Sequence, residues 1–438
     1  MIMKKLIITA AVIAALSPAA FADTIEITIN SPVVYTQGKT VEKSELDAAA
    51  YIENDITMIP LRFVSEKLGA TVTWNGEEKE VICEKDGKKV GLKIGDVNAY
   101  KTTENGTETV VLPAEPIILN DLTLVPLRFV SEGLGADVEY VATTKQVLIS
   151  DYSSEENKLG GLIATVGNRK IDGGILSTYY KMNMYYLPYY GAEGYLNTIY
   201  ENLANYEAIA SELEKLGDTS VSTAVGEAFP DYSDDDLAAD GILKANLAKI
   251  YELSNIVQAA GNKMSEELDE SSINEYYKNN YVCAKHILLL TQDQTTGAPL
   301  EDKEKAQVKK KADDILKKLK KGENFDTLMS EYSEDPGSKA NPNGYVFTKG
   351  EMVSEFEKTA FELEEGKISD IIETQYGYHI IKKEALPEIT DDLKKTIASA
   401  FVNEKLSEIA SGVTVQMHTT LADIYDEITP EEYKTSEK

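Results

Sequence analysis

The spacing of apolar residues changes several times along the chain, and each change predicts a different kind of structure. Residues 57–70, TMIPLRFVSEKLGA, return as residues 123–136, TLVPLRFVSEGLGA, with eleven of the fourteen positions identical. Each copy predicts a strand ending at Pro60 or Pro126 and a short helix stopped at Gly69 or Gly135. Further strands are expected at 71–74 with 81–84, and at 138–140 with 146–149. The repeat therefore predicts duplicated β-helix-β units packed as one β-rich domain, residues 24–151. A polar stretch, 151–158, reads as a linker, and 162–166 as a short strand.

From residue 173 to about 280 the apolar residues recur at helical spacing, as in Leu196, Ile199, Leu203 and Tyr206, then Leu243, Leu247, Ile250 and Leu253. From 281 the pattern becomes strand (282–290), charged amphipathic helix (300–321), helix (325–332) and a turn-rich loop (333–344). A strand through Phe347, a helix (352–361) and two strands (368–374 and 378–383) around a turn at Gly377 follow. That order, β-α-α-β-α-β-β, predicts a small α+β domain over 281–385. A last helix, 391–409, runs through Leu393, Ile397, Phe401 and Leu406. The fold class expected is multidomain α+β: a duplicated β-rich domain, a helical region (160–280), the α+β domain, a C-terminal helical segment (386–428) and a tail (429–438).

Charge narrows the functional classes. A net charge of −30 over 438 residues argues against nucleic acid and against anionic lipid surfaces, and favours basic or neutral partners. Lys4 and Lys5, the apolar run 6–16 and Ala20-Phe21-Ala22 have the layout of an export signal, residues 1–22, with cleavage expected after Ala22. No Cys follows it closely, so a lipid-anchored start is not expected, and the chain is placed outside the cytoplasm, secreted or associated with the cell wall. Cys83 and Cys283 fall in different expected domains and read as buried thiols rather than a disulfide framework. The acidic run 231–236 lacks the Gly and Glu of a calcium loop and reads as a helix N-terminus. Nine tyrosines between Tyr179 and Tyr206, with Met182 and Met184 among them, suit either a helical core or an adaptable surface for unfolded segments.

The duplicated PLRFVSE unit resembles the copper amine oxidase N-terminal-like domain, a non-catalytic module, and this segment has no His to bind copper. Arg62 and Arg128 suit either a carboxylate or sugar-acid ligand or, more simply, structural ion pairs. Four ordered motifs between 281 and 384 (AKHILL, FDTLMSEYSEDPGSKANPNGY, FTKGEMVSEFEKTAF and EEGKISDIIETQYGYHIIK) resemble the parvulin-type, PpiC-like peptidyl-prolyl isomerases. The resemblance implies that His286 and His379 are paired histidines on adjacent central strands, and that Asp335 faces the substrate peptide bond. It further implies that Met352 and Phe356, four apart on one helix face, floor the proline pocket and that Thr374 joins the histidine network. Tyr376 is expected at the next inward position of that strand. The sequence departs from the family at 341–346, where Asn-Pro-Asn-Gly-Tyr replaces a Gly-Gly-Asp-Leu-Gly run, and Tyr345 is the candidate for the upper pocket wall. Taken singly, each of these residues would be ordinary core or turn.

The resemblance implies no cofactor and no metal. The loop 291–301 carries no Lys or Arg, so phosphoserine reading is not expected, and Lys309, Lys310 and Lys311 read as a solvated helix face. Residues 162–280 and the C-terminal helix resemble, more loosely, the chaperone module of exported foldases of the PrsA and SurA type. The expected function is an exported isomerase and chaperone whose partners are unfolded polypeptides with X–Pro bonds. A non-catalytic holdase, and a wall-associated protein binding a cell-wall polymer through the N-terminal domain, are the alternatives. A homodimer is compatible with each.

Overall fold

A computed structural model describes residues 24–38, 40–153, 161–217, 229–293, 296–338, 340–429 and 434. The expected signal, most of the linker and nearly all of the tail lie outside the described residues. The chain divides into two compact units, residues 1–262 with 406–438, and residues 263–405.

In the first unit the sequence repeat becomes a structural one. Strands Ile56–Pro60 and Leu122–Pro126 pair antiparallel with Leu124 opposite Pro60 and Pro126 opposite Met58, so the two copies meet head to head. Each strand turns at its proline into a seven-residue helix, Leu61–Lys67 or Leu127–Gly133. A proline suits that corner because its fixed φ starts a helix and its missing N–H is one the first turn leaves unused. Val64, Leu68, Val130 and Leu134 bury into one apolar cluster shared with Ile25, Val81 and Ile149. Two five-stranded sheets and one four-stranded sheet surround that cluster, including strands at Thr24–Thr28, Val33–Gln37, Lys88–Lys93 and Asn98–Thr103 that the repeat pattern does not announce.

The residues read from sequence as a separate domain share this unit with the helical region. Tyr35, Val141 and Leu148 pack on Leu243, Ala245 and Ala248, at the start of helix Lys244–Glu267. Glu26 accepts a hydrogen bond from the Ala245 amide at 2.7 Å and another from Gln146 Nε2 at 3.0 Å, and burial pushes its carboxyl up to about 8. The helical region itself begins with a hairpin, Leu162–Val166 and Arg169–Asp172, and the C-terminal segment returns a strand, Val415–Met417, to that sheet. Helices Gly173–Met182 and Ala192–Lys215 follow the hairpin. The acidic run is a helix N-terminus, Asp234–Ala239 capped by Ser233.

Unit two, residues 263–405, centres on a four-stranded antiparallel sheet in the order Tyr345–Thr348, Tyr281–Leu290, Gly377–Glu384, Ile372–Glu373. Because side chains alternate along a strand, Ile287, Leu289 and Ile380 point to one face, covered by helices Asp302–Lys320 and Phe325–Tyr332. The opposite face carries Val282, Ala284 and Ile381 against helix Ser354–Glu362. Helix Glu270–Asn280 and helix Asp391–Ser411 pack together through Ile273, Tyr277 and Ile397. The expected 368–374 strand is shorter than its pattern, reduced to Ile372–Glu373 and an isolated bridge from Ile368 to Lys382. Both cysteines are buried free thiols.

Arg169 supplies a test of the first unit. Its guanidinium bonds Glu207, which is 1% exposed, and also Glu214. Removing one partner of a buried pair leaves a desolvated charge, at a cost of about 3–5 kcal/mol, whereas replacing both is close to neutral. Arg169→Met should therefore lower the urea midpoint strongly, and Arg169→Met with Glu207→Leu should recover most of the loss. Equal midpoints for the single variant and the parent chain would show that the pair carries no such constraint.

Candidate functional site

The register between strands Tyr281–Leu290 and Gly377–Glu384 sets the site. Leu288 lies opposite His379 and His286 opposite Ile381, so the two histidines occupy diagonal positions on one face. Their ring centroids are 5.4 Å apart at 47°. Phe356, 3% exposed, presents its ring edge-on to both, with centroids 5.1 Å from His286 and 5.6 Å from His379. Met352 and Tyr345 border the same apolar cluster and remain half-buried. The sequence placed Met352 on the helix with Phe356; the helix instead starts at Ser354, and Met352 precedes it in a bend. Val353 is extended (ψ 141°) and ends the loop, so Met352 reaches the cluster from the loop rather than from a helix face.

Asp335 is delivered by a loop that completes the sheet edge. Strand Tyr345–Thr348 pairs only with residues 281–284, leaving the second half of the Tyr281–Leu290 strand without a partner on that side. Ser333 and Glu334 take its place. The Leu288 amide donates to Ser333 Oγ (3.2 Å), the Glu334 amide donates to Leu288 O (2.8 Å), and the Leu290 amide donates to Glu334 Oε2 (2.8 Å). Buried backbone groups need such partners, and satisfying them fixes the residue that follows. Asp335 Oδ2 then accepts from Ser338 Oγ and from Tyr345 Oη, each at 2.6 Å, and lies 3.7 Å from His286 Nε2. The departing loop makes this possible: Gly344 adopts φ +100°, and a Cβ there would crowd Ala284 O at 3.0 Å. The chain thus turns tightly into Tyr345, whose ring stacks 5.8 Å from His286.

On the other side, Thr374 Oγ1 lies 2.8 Å from His379 Nε2 and accepts from the Tyr376 amide at 3.2 Å. Gly377, at φ +153°, allows this turn to press against the Leu289 carbonyl, where a Cβ would overlap it. Tyr376 does not occupy an inward position. The turn at 374–377 interrupts the strand alternation before Gly377, and the Tyr376 side chain is 46% exposed.

Burial dominates the electrostatics of the imidazoles. It holds His379 down to about 4, with neighbouring His286 adding to the effect, and holds His286 below its usual range against the opposing pull of Asp335. Burial acts on Asp335 in the other direction, but the bonds from Ser338 and Tyr345, helped by His286, outweigh it and keep the carboxyl below its ordinary range. Tyr345 is pushed up to about 12 by burial and by its bond to Asp335. At neutral pH the site therefore holds two neutral imidazoles beside an ionised carboxylate. Among the described residues, Nδ1 of each ring is buried without a hydrogen-bond partner.

The structure brings His286, Asp335, His379, Thr374, Met352, Phe356 and Tyr345 together and leaves Tyr376 at the rim. Sequence reasoning missed Ser338, although a hydroxyl three residues after an Asp is a recurrent turn pairing. Arg62 and Arg128 are exposed and pair with Glu66 and Glu132 one helical turn on. Among the described residues no group of His, Cys, Asp and Glu is arranged to hold a metal ion, and no helix is long and apolar enough to cross a membrane.

Comparison with known proteins follows this division. Residues 35–149 match the family model described as copper amine oxidase N-terminal domain, and residues 286–385 the PPIC-type PPIASE domain. The chain is 45% identical over 104 residues to the foldase protein PrsA of Bacillus subtilis (strain 168), covering 24% of this chain and 36% of that one. It is 31% identical over 255 residues to the foldase protein PrsA of Oceanobacillus iheyensis, covering 53% of this chain and 77% of that one. The matches to the first relatives span only about a third of their length, 36% and 33% in the first two. A crystal structure of PrsA from Bacillus subtilis aligns at 26% identity over 61% of this chain and 97% of that one, with a TM-score of 0.21 that argues nothing by itself.

The depressed His379 pKa predicts a pH dependence of stability. An unburied imidazole titrates near 6.5 and the folded one near 4, so the unfolded chain takes up its proton first. Stability is fully present above pH 6.5, falls between 6.5 and 4 by about 3 kcal/mol from this group, and levels off below. Denaturant unfolding from pH 7 to 4, with ring shifts followed by NMR, should show both effects; a His379 signal titrating near 6.5 in the folded chain would contradict the geometry.

Proposed function

The chain belongs to the PrsA foldase family, and from that premise we propose that it is an exported peptidyl-prolyl cis-trans isomerase and chaperone for unfolded polypeptides. The observation that carries the catalytic half is the convergence of Phe356, Met352 and Tyr345 with two neutral imidazoles and the ionised Asp335. The X–Pro barrier, about 18–20 kcal/mol, comes from amide resonance, so rotation breaks no covalent bond. Phe356 and Met352 hold the proline ring, with Tyr345 as the wall that replaces the family's usual loop. A dry slot removes the water hydrogen bonds that favour the planar, charge-separated amide. His286, His379 and Thr374 set the polarity under the rotating carbonyl, and Asp335 supplies a fixed negative charge at its side. Tyr376 contributes at the rim as a contact for the bound peptide.

Residues 1–22 direct export in this reading, and residues 160–280 with 386–428, which flank the isomerase domain of 281–385 in sequence, form the chaperone module. The tyrosine-rich segment supports a holdase surface. Tyr180 and Tyr195 are buried core, whereas Tyr185, Tyr186, Tyr189 and Tyr190 are exposed, with Tyr185 ringed by two of its neighbours at 5.6 and 6.2 Å. Rigid aromatic surface with a polar tip binds varied apolar segments at small entropic cost.

Isomerisation of a short unphosphorylated X–Pro peptide tests the first half. Asp335→Ala and His286→Ala should each lower kcat/KM about ten- to hundredfold, and an unchanged rate in both would remove the catalytic assignment. Replacing Tyr185, Tyr186, Tyr189 and Tyr190 by Ser should weaken suppression of client aggregation while leaving peptide isomerisation intact. Undiminished suppression would place client binding elsewhere.

A further inference from the structure

The densest run of exposed aromatic side chains among the described residues lies at 185–190, in the helical region. Tyr185, Tyr186, Tyr189 and Tyr190 are each at least 50% exposed, although Tyr180 and Tyr195 close by in sequence are buried. The backbone turns these rings outward. Leu187 is buried between the two tyrosine pairs, Pro188 starts the short helix Leu187–Tyr190, and Gly191 ends it at φ +68°. Tyr185 meets Tyr186 edge-on, with centroids 5.6 Å apart at 77°, and Tyr189 at a tilt, 6.2 Å apart at 50°. Rings that meet by their edges leave faces open to a ligand.

An extended, proline-rich segment suits such a surface better than other apolar chain does. In the polyproline II conformation no backbone group is bonded internally, so every carbonyl is available to a phenol hydroxyl at the edge of an exposed ring. The pyrrolidine is a compact apolar ring that lies against an aromatic face, and its fixed φ leaves less freedom to lose on docking. Two residues of polyproline II rise about 6 Å, comparable with the spacing of the rings. A helical apolar segment has its carbonyls already bonded and offers only area. We propose that Tyr185, Tyr186, Tyr189 and Tyr190 form a docking site for proline-rich client segments in the polyproline II conformation. The helical region thereby gathers chain that is rich in the bonds the isomerase domain acts on. This rests on the chaperone reading above and names the class of segment the surface takes.

The test uses the full chain and two peptides of equal length with lysines at both ends, one alternating Pro and Leu, the other Ala and Leu. A short Ala-Ala-Pro-Phe peptide in excess occupies the isomerase cleft, so that calorimetric titration reports the second site. The Pro peptide should bind about tenfold more tightly than the Ala peptide, the gain expected when part of the backbone freedom is fixed in advance. Tyr185→Ser, Tyr186→Ser, Tyr189→Ser and Tyr190→Ser combined should remove that difference by weakening the Pro peptide about tenfold. Equal binding of the two peptides, with the fourfold variant weakening both, overturns the proline selection and leaves a general apolar holdase surface. Binding of both peptides undiminished in the fourfold variant overturns the selection and the holdase reading of this segment together. Should the fourfold variant fail to fold, Tyr185→Ser with Tyr189→Ser and Tyr186→Ser with Tyr190→Ser are titrated in its place, and the same outcomes decide.

Discussion

The antiparallel register between Tyr281–Leu290 and Gly377–Glu384 is the constraint on which the site depends. With a side-chain period of two, the offset that sets Leu288 against His379 puts both imidazoles on one face and Ile287, Leu289 and Ile380 on the other. A slip of one residue in either strand would send one histidine into the apolar cluster under helix Asp302–Lys320 and an isoleucine toward Phe356. The aliphatic face, not the polar one, holds the register, because burying Ile and Leu is favourable and burying imidazole is not. The histidines are carried to their positions by their neighbours.

That division explains the electrostatics. A buried imidazole loses its hydration and is neutral, and two adjacent ones reinforce the effect. Asp335 keeps its charge only because two hydroxyls and a loop amide replace the water it gives up. The altered loop at 341–346 bears directly on this balance. By turning at Gly344 it delivers Tyr345, and the phenol is both a wall beside His286 and a donor to the carboxylate. The site's polarity is therefore set by a segment that departs from the family's usual sequence.

The first unit uses charge differently. The Glu26 carboxyl accepts from the Ala245 amide and Glu139 pairs with Lys249, which joins the duplicated sheets to the helical region, while Arg169 and Glu207 pair within that region. A buried ion pair such as Arg169–Glu207 adds little net stability, since an apolar replacement of both partners is often equally stable. A β-rich module bonded in this way to the helix Lys244–Glu267 is part of one compact unit, whatever its origin as a duplicated sequence.

Much of this was legible in the chain. The repeat, the helical periodicity and the order β-α-α-β-α-β-β follow from period and spacing, which are local properties of sequence, whereas the roles of His286, Asp335, Thr374, Phe356 and His379 were implied by the resemblance of four motifs to the parvulin family. Met352, Tyr376 and the 368–374 strand went astray where a turn broke the local period: Val353 ended a loop instead of beginning a helix, and the 374–377 turn faced Tyr376 outward. The partners of Asp335, the neutrality of the two imidazoles and the joining of the N-terminal sheets to the helical region depend on which distant groups exclude water from which charge. Hydrogen-bond partners and burial are properties of the packed chain, so only the tertiary structure decided them.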